Sequence, residues 1–181
     1  MEPALLILDL DETLVWASDE EPLGGFDFRA FTYFVKKRPH LDTFLETVRR
    51  WYELAVWSSS DDAYAQTIVD NALGGSSDLE FVWGRSRCTQ RLDEETRDYY
   101  FAKNLKKVKR KGFDLQRVLI IDDSPEKLRQ NFGNHLQIRP FEGQTADHEL
   151  LDVLPFLESL KEVDNFRHIE KRGWRSLTRK T

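Results

Sequence analysis

Three short apolar runs punctuate the chain, and each stops at polar residues. Ala4 to Leu8 (ALLIL) runs into Asp9, Leu54 to Trp57 (LAVW) into Ser58-Ser59-Ser60, and Val118 to Ile121 (VLII) into Asp122-Asp123. Continuous β-favouring runs of this length predict strands buried on both faces, as in a parallel sheet. Helical spacing fills the intervals. Pro39 suits a first helical position, and Leu41, Phe44, Leu45, Val48 and Trp51 then form one stripe. A second helix is predicted from near Asp61 to Gly74-Gly75, and a third from about Tyr99 to Lys109. Ser124-Pro125 reads as N-cap and first turn of a fourth that Gly133 ends. A fifth covers about Ala146 to Val163, interrupted or kinked at Pro155.

Strands alternating with helices predict an α/β fold with a doubly wound parallel sheet. Two stretches break the alternation. Phe26 to Val35 (FDFRAFTYFV) predicts a small hairpin flap over the sheet edge. Leu79 to Thr89 predicts another strand pair, followed by a polar loop at Arg91 to Arg97, giving a small β insertion over about 76–97. The interval from Leu14 to Lys36 is too short for a helical cap domain. One domain over 1–165 is expected, followed by a basic tail over 166–181 that is either disordered or a docked final helix.

Composition narrows the class. The chain has 181 residues, 40% hydrophobic, 12% aromatic and 33% charged, which suits a folded globular domain rather than a disordered segment. A net charge of −5 argues against attachment to nucleic acid or anionic membrane by overall charge. One cysteine, Cys88, allows no internal disulfide and favours a reducing compartment. The opening Met1-Glu2-Pro3 has no basic region, so no signal peptide is expected, and no apolar run reaches the ~20 residues of a membrane span. A cytoplasmic location, or a nuclear one in a eukaryote, and a monomer are the expectations.

In an open α/β sheet, ligands sit outside the carboxyl ends of the strands. The three runs therefore deliver Asp9, Asp11, Ser58, Asp122 and Asp123 toward one crevice. Two like charges ~4 Å apart repel by about 4 kcal/mol at an effective dielectric of 20. Several such pairs require protonation or a resident cation. Oxygen ligands without a nearby His or Cys point to Mg²⁺. Asp9, at the strand tip, can attack phosphorus, and Asp11 can protonate the leaving oxygen and later take a proton from water. Ser58 can donate to a phosphoryl oxygen, and Lys103, on the third predicted helix, is the candidate ammonium group.

These motifs carry a resemblance. Asp9-Leu10-Asp11-Glu12-Thr13-Leu14 resembles the first motif of the haloacid dehalogenase-like superfamily, closest to its FCP/SCP (NIF) branch of DxDxT phosphatases. Lys37-Arg38-Pro39-His40, Ala55 to Ser60, Lys103 and Val118 to Pro125 (VLIIDDSP) resemble later elements of that branch, in order. The resemblance implies a Rossmann-like phosphohydrolase using Mg²⁺. Asp9 would be nucleophile and metal ligand, and Asp11 acid/base, with its carbonyl on the metal. Asp123 would be a further ligand, Asp122 a partner of the metal or of Lys103, and Lys103 would neutralise Asp9 and the phosphate. By the same alignment Arg85 and Tyr64 take the places of substrate-contacting residues.

Plainer readings stand beside these. Asp122 could face only the dipole of the following helix. Arg85 could be a surface residue and Tyr64 a core one, and Thr13 bonds within its turn. Lys106, Lys107, Lys109, Arg110 and Lys111 read first as a solvated helix face. The four histidines lack zinc spacing. A short flap implies an open site, which favours a phosphorylated protein or peptide, in phosphoserine or phosphothreonine form. A phosphatase of nucleic-acid ends or of a metabolite, and a catalytically weak peptide receptor of the same fold, remain the alternatives.

Overall fold

In the computed structural model, residues 4–178 are described. The opening Met1-Glu2-Pro3 and the last three residues of the basic tail lie outside them. The elements in chain order begin with β1 (Ala4–Leu8), β2 (Val15–Ser18), β3 (Phe28–Ala30), β4 (Tyr33–Lys37) and α1 (Leu41–Val48). Then come β5 (Tyr52–Trp57), α2 (Asp62–Ala72), β6 (Leu79–Trp83), β7 (Thr89–Leu92), β8 (Tyr99–Ala102) and α3 (Lys106–Arg110). β9 (Val118–Asp122), β10 (His135–Gln137), α4 (Glu149–Leu160) and α5 (Trp174–Thr178) complete the fold.

The central sheet is parallel, in the order β10-β9-β1-β5-β6. Every residue of β1 and β9 is buried, as unbroken apolar runs require. Leu6 and Leu8 face a layer that includes Phe44, Ile68, Val153 and Leu157 from α1, α2 and α4. Leu5 and Ile7 face the opposite layer, with Trp57, Leu105, Val108 and Leu128. Helices therefore cover both faces, and the doubly wound α/β arrangement is observed. The flap is a three-stranded antiparallel sheet in the order β2-β4-β3.

Several local expectations are corrected. The third predicted helix is not one: Tyr99–Ala102 is β8, paired antiparallel with β7, and helix begins only at Lys106. Tyr-Tyr-Phe-Ala is β-favouring, and its partner lies in the stretch read as a polar loop. Leu79–Trp83 joins the main sheet as its edge strand, so the small hairpin spans 89–102. Helix α1 begins at Leu41 with His40 as its N-cap residue, leaving Pro39 outside. Helix α4 continues through Pro155. The stretch Pro125–Asn134 is 3₁₀ rather than α, with non-helical backbone at Leu128 and Asn131, and the Ser124 side chain does not cap it. It is tied at two points. The Lys127 carbonyl accepts from the Lys103 N–H at 2.8 Å, and Asn131 Oδ1 accepts from the Leu105 N–H at 3.2 Å. Of the described part of the basic tail, Phe166 and Trp174 are buried in the main core.

One buried ion pair holds the loop after β1 against the body. Arg38, fully buried, donates from Nε and Nη2 to the two carboxylate oxygens of Asp147, both at 2.8 Å. Its Nη1 donates to the Thr13 carbonyl at 3.0 Å. Asp147 is partly buried, yet the Arg38 hydrogen bonds and charge hold its carboxyl below the ordinary range. Asp147→Ala strands a buried guanidinium and should cost on the order of 3 kcal/mol in denaturant unfolding. Arg38→Met should cost less, because Asp147 can rehydrate. A depressed folded pKa stabilises above the unfolded value of about 4 and stops doing so as pH falls through the folded one. The Tm gap between wild type and Asp147→Asn should therefore persist at neutral pH and close in acid below about 4.

Candidate active site

The parallel register sets Asp9 and Asp122 side by side at one rim, with Ser58 one residue further along the neighbouring strand. Asp9 follows β1 and donates its N–H to the Ile121 carbonyl at 3.0 Å, Ser58 follows β5, and Asp122 ends β9. After Asp9 the chain turns tightly. The Thr13 and Leu14 N–H groups both donate to the Leu10 carbonyl, and Glu12 adopts a left-handed conformation at φ 60°. This turn lifts Asp11 beside the sheet rim and sends the chain into the flap.

Asp9, Asp122 and Asp123 each offer one carboxylate oxygen, all within 4.8 Å of one another. Two ammonium groups offset this crowd. Lys103 Nζ, fully buried, lies 2.6 Å from Asp122 Oδ2 and 2.9 Å from Asp9 Oδ1. Lys127 Nζ lies 3.3 Å from Asp9 Oδ2 and 3.8 Å from Asp122 Oδ1. Both oxygens of Asp9 therefore face a cation. Asp123 accepts from the Ser124 hydroxyl at 3.0 Å and from Thr13 Oγ1 at 3.4 Å. The Thr13 hydroxyl thus reaches across to Asp123 rather than staying within its own turn.

Charge is divided unequally among these groups. Burial alone would raise the Asp9 carboxyl, but Lys103 and Lys127 outweigh it and hold the group below its ordinary value. Asp122 shares the same cations and goes the other way, pushed up by burial and then by the Asp9 charge. Burial disfavours the Lys103 charge, yet Asp122 and Asp9 more than restore it. Asp11 sits outside this grip. Its carboxyl accepts from Ser60 Oγ at 2.6 Å and from the Tyr64 hydroxyl at 2.7 Å, while burial raises its pKa. A carboxylate gripped by two cations and, two residues on, one whose pKa burial raises suit a nucleophile and a general acid.

Ser58 is buried, and its oxygen accepts from the Ser60 N–H at 2.9 Å, leaving its own proton to donate. Arg85 and Tyr64 border a cleft of ≈ 410 Å³ beside Asp11, walled on the flap side by Phe31 and Tyr33. Arg85 is held there by an Nε bond to the Ser59 carbonyl and by the Phe101 ring 4.9 Å away. Gly84 permits this placement, since a Cβ there would lie 2.2 Å from the Asp62 carboxylate and 2.6 Å from its Cα. Tyr64 is buried in the core as well as reaching the cleft, and its hydroxyl serves Asp11.

All of Asp9, Asp11, Ser58, Lys103, Asp122 and Asp123 thus converge, with Arg85 and Tyr64 at the margin. Lys103 arrives from the segment between β8 and α3, not from a helix. Sequence reasoning missed Lys127, Ser60 and the Tyr64–Asp11 bond. Lys127 follows the predicted cap at Ser124 by three residues, and nothing in the local pattern aims it at Asp9, which lies 118 residues away. The oxygen-only donor set of Asp9, Asp122 and Asp123 fits a hard divalent cation.

Comparison with known proteins shows the fold and the family. The fold is similar to that of the fission yeast RNA polymerase II CTD phosphatase Fcp1, with a TM-score of 0.68 at 16% identity, covering 88% of this chain and 62% of that one. A haloacid dehalogenase-like hydrolase from Streptococcus pneumoniae shares the fold with a TM-score of 0.55 at 14% identity, over 85% of this chain and 98% of that one. In sequence, the chain is 31% identical to CTD nuclear envelope phosphatase 1 of Xenopus laevis, over 93% of this chain and 72% of the relative. It is 33% identical to the human carboxy-terminal domain RNA polymerase II polypeptide A small phosphatase 1, over 88% of this chain and 60% of the relative. Residues 4–167 match the family of NLI interacting factor-like phosphatases, and the chain belongs to that family of phosphoric monoester hydrolases.

Proposed function

We propose that this protein is a Mg²⁺-dependent phosphatase of phosphoserine or phosphothreonine in proteins, acting through an aspartyl-phosphate on Asp9. The observation that carries the reading is the contrast between two neighbouring carboxyls. Asp9 is held charged between Lys103 and Lys127, while Asp11 is hydrogen-bonded by Ser60 and Tyr64 outside that pair.

In the first half-reaction an Asp9 carboxylate oxygen attacks phosphorus, and the bond from phosphorus to the serine or threonine oxygen breaks. Asp11 gives its proton to that leaving oxygen. Ser58 donates to a phosphoryl oxygen, and Lys103 offsets negative charge as it shifts from Asp9 to the phosphoryl group. In the second half, Asp11 removes a proton from water, whose oxygen attacks phosphorus. The bond to Asp9 breaks, releasing inorganic phosphate and restoring the carboxylate. Asp9 and Asp123, with Asp122 and the Asp11 carbonyl beside them, would hold Mg²⁺, which supplies Lewis-acid polarisation of the phosphoryl oxygens.

The substrate class is supported by the short flap, which leaves the cleft open, and by the exposed aromatic wall of Phe31 and Tyr33. The Xenopus, human and fission yeast relatives are named as CTD phosphatases, the latter two of RNA polymerase II, which supports a phosphorylated polypeptide. The nuclear envelope in the Xenopus relative's name favours a nuclear over a purely cytoplasmic site of action. Among the described residues no helix is long and apolar enough to cross a membrane.

Wild type incubated with a radiolabelled phosphoserine peptide should show a transient, hydroxylamine-sensitive phosphoenzyme. Asp9→Asn should show none, and label persisting in that variant would defeat the assignment. Asp11→Asn should still bind phosphopeptide, with kcat lower by about 10²–10⁴-fold. Turnover of phosphorylated oligonucleotides alone in the same assay would transfer the reading to nucleic-acid ends. Lys127 stands among the proposed metal ligands as a competing cation. Lys127→Met should therefore bind Mg²⁺ about tenfold more tightly in calorimetry, equivalent to about 1.4 kcal/mol.

A further inference from the structure

The sheet edge opposite β10 carries a row of cations without counter-ions. Strand β6 is that edge, and it ends at the catalytic rim, where the 3₁₀ turn Arg85–Arg87 follows it. The Arg85 guanidinium, which lines the cleft beside Asp11, lies 4.9 Å from the Phe101 ring centroid. Arg87 lies 5.4 Å from the Trp83 ring. Trp83 stacks on Phe81 with centroids 4.0 Å apart, and Lys111 Nζ lies 5.8 Å from the Phe81 ring. Lys107 is tethered beside them, its ammonium donating to the Arg87 carbonyl at 2.7 Å and to the Cys88 carbonyl at 3.4 Å. These four cations form a belt that runs from the catalytic rim back along the outer edge of the sheet.

What holds these side chains does not neutralise them. A ring face or a backbone carbonyl fixes the position of a cation and leaves its unit charge in place. None of the four forms an ion pair within 4.0 Å among the described residues. Asp62 borders the turn, where its carboxylate accepts from the Ser86 N–H at 3.3 Å. Glu80 and Asp114 are exposed and pair with none of the four. Helix α3 adds Lys106, Lys109 and Arg110, all exposed and also without ion pairs, on the side away from the buried Val108. A chain of net charge −5 thus gathers these cations next to its catalytic cleft. Charge of one sign beside a cleft raises the local concentration of the other sign. Because rings and carbonyls already order four of the side chains, an anion that engages them costs little further side-chain entropy.

The belt is continuous with the cleft, since Arg85 belongs to both. A chain whose phosphorylated residue sits at Asp9 can therefore pass onto it without a break. In an extended peptide, side chains on one face recur about every 7 Å, which suits cations held singly along an edge. We propose that the belt docks an acidic stretch of the substrate polypeptide, Asp or Glu residues lying to one side of the phosphorylated residue. The proposal rests on the phosphoprotein reading above and narrows its substrate class to phosphoserine or phosphothreonine flanked by carboxylates. Arg87, Lys107 and Lys111 are the specificity-determining residues.

The test uses the full chain and three phosphoserine peptides. One has neutral flanks, one has three glutamates before the phosphoserine and one has three after it. One acidic peptide should have a KM about tenfold below that of the neutral peptide, the gain expected of three exposed ion pairs, and the other should show none. The gain should fall to about twofold as NaCl rises from about 0.05 to about 0.5 M. In Arg87→Glu/Lys111→Glu it should vanish, while kcat and KM for the neutral phosphopeptide and for a small aryl phosphate stay within about twofold. Arg87→Gln/Lys111→Gln, which removes the charges without reversing them, should lose most of the gain and covers the case in which reversed charges disturb the turn. A flat series, a gain of equal size on both sides, or a gain retained in both double variants overturns the proposal. Binding of the same peptides to Asp9→Asn, read by fluorescence anisotropy, separates the two readings. One-sided preference there without turnover of any phosphopeptide by wild type would sink the proposed function and leave the belt. Turnover with a flat series would sink the belt alone. A single-stranded oligonucleotide is the other polyanion tested. If it binds wild type and not Arg87→Glu/Lys111→Glu while the peptide series is flat, the belt serves nucleic acid and the proposal fails.

Discussion

Repulsion among carboxylates at the rim of a parallel sheet governs this molecule. The register of β1 and β9 brings Asp9, Asp122 and Asp123 together whatever the surroundings, because parallel strands that start level also end level. Lys103 and Lys127 make that convergence tolerable. Neither lysine lies on the central sheet. Each is carried in by a piece of chain whose shape looks irregular until its cargo is considered. The β7–β8 hairpin ends one residue before Lys103, and the 3₁₀ stretch after Ser124 brings Lys127 inward. The two pieces are joined by the hydrogen bond from the Lys103 N–H to the Lys127 carbonyl, so the two cations are positioned as a unit.

A second constraint fixes the turn between Asp9 and Asp11. Its polar backbone is held from below by Arg38, which bonds the Thr13 carbonyl, donates its own N–H to the Leu14 carbonyl and anchors on Asp147. The Lys37-Arg38-Pro39-His40 element is thus a brace. It transmits the position of α1 and of the loop before α4 to the turn that carries Asp11.

The features legible in the sequence are those set by local pattern. The apolar runs read correctly as doubly buried strands, and the polar residues at their ends meet as expected. The aromatic stretch 26–35 proved to be part of the flap. Features that depend on partners distant in sequence were harder to read. Tyr99–Ala102 became a strand because Thr89–Leu92 lies beside it, and helical propensity downstream masked that pairing. Leu79–Trp83 found its partner in β5 rather than in a local hairpin. Ser124-Pro125 looked like a helix start, but the ties at Lys127 and Asn131 hold the segment in a tighter winding. The role of Arg38 was invisible because Asp147 lies 109 residues away.

Tyr64 joins parts of the molecule that otherwise have separate duties. It belongs to α2 and to the main core, its hydroxyl holds Asp11, and its ring meets Tyr33 of the flap edge-on, with centroids 5.8 Å apart. Strand β4 therefore cannot shift over the cleft without disturbing the phenol that holds Asp11. A push on that aromatic wall reaches the Asp11 carboxyl through a single rigid ring, so the flap and the sheet rim are mechanically linked.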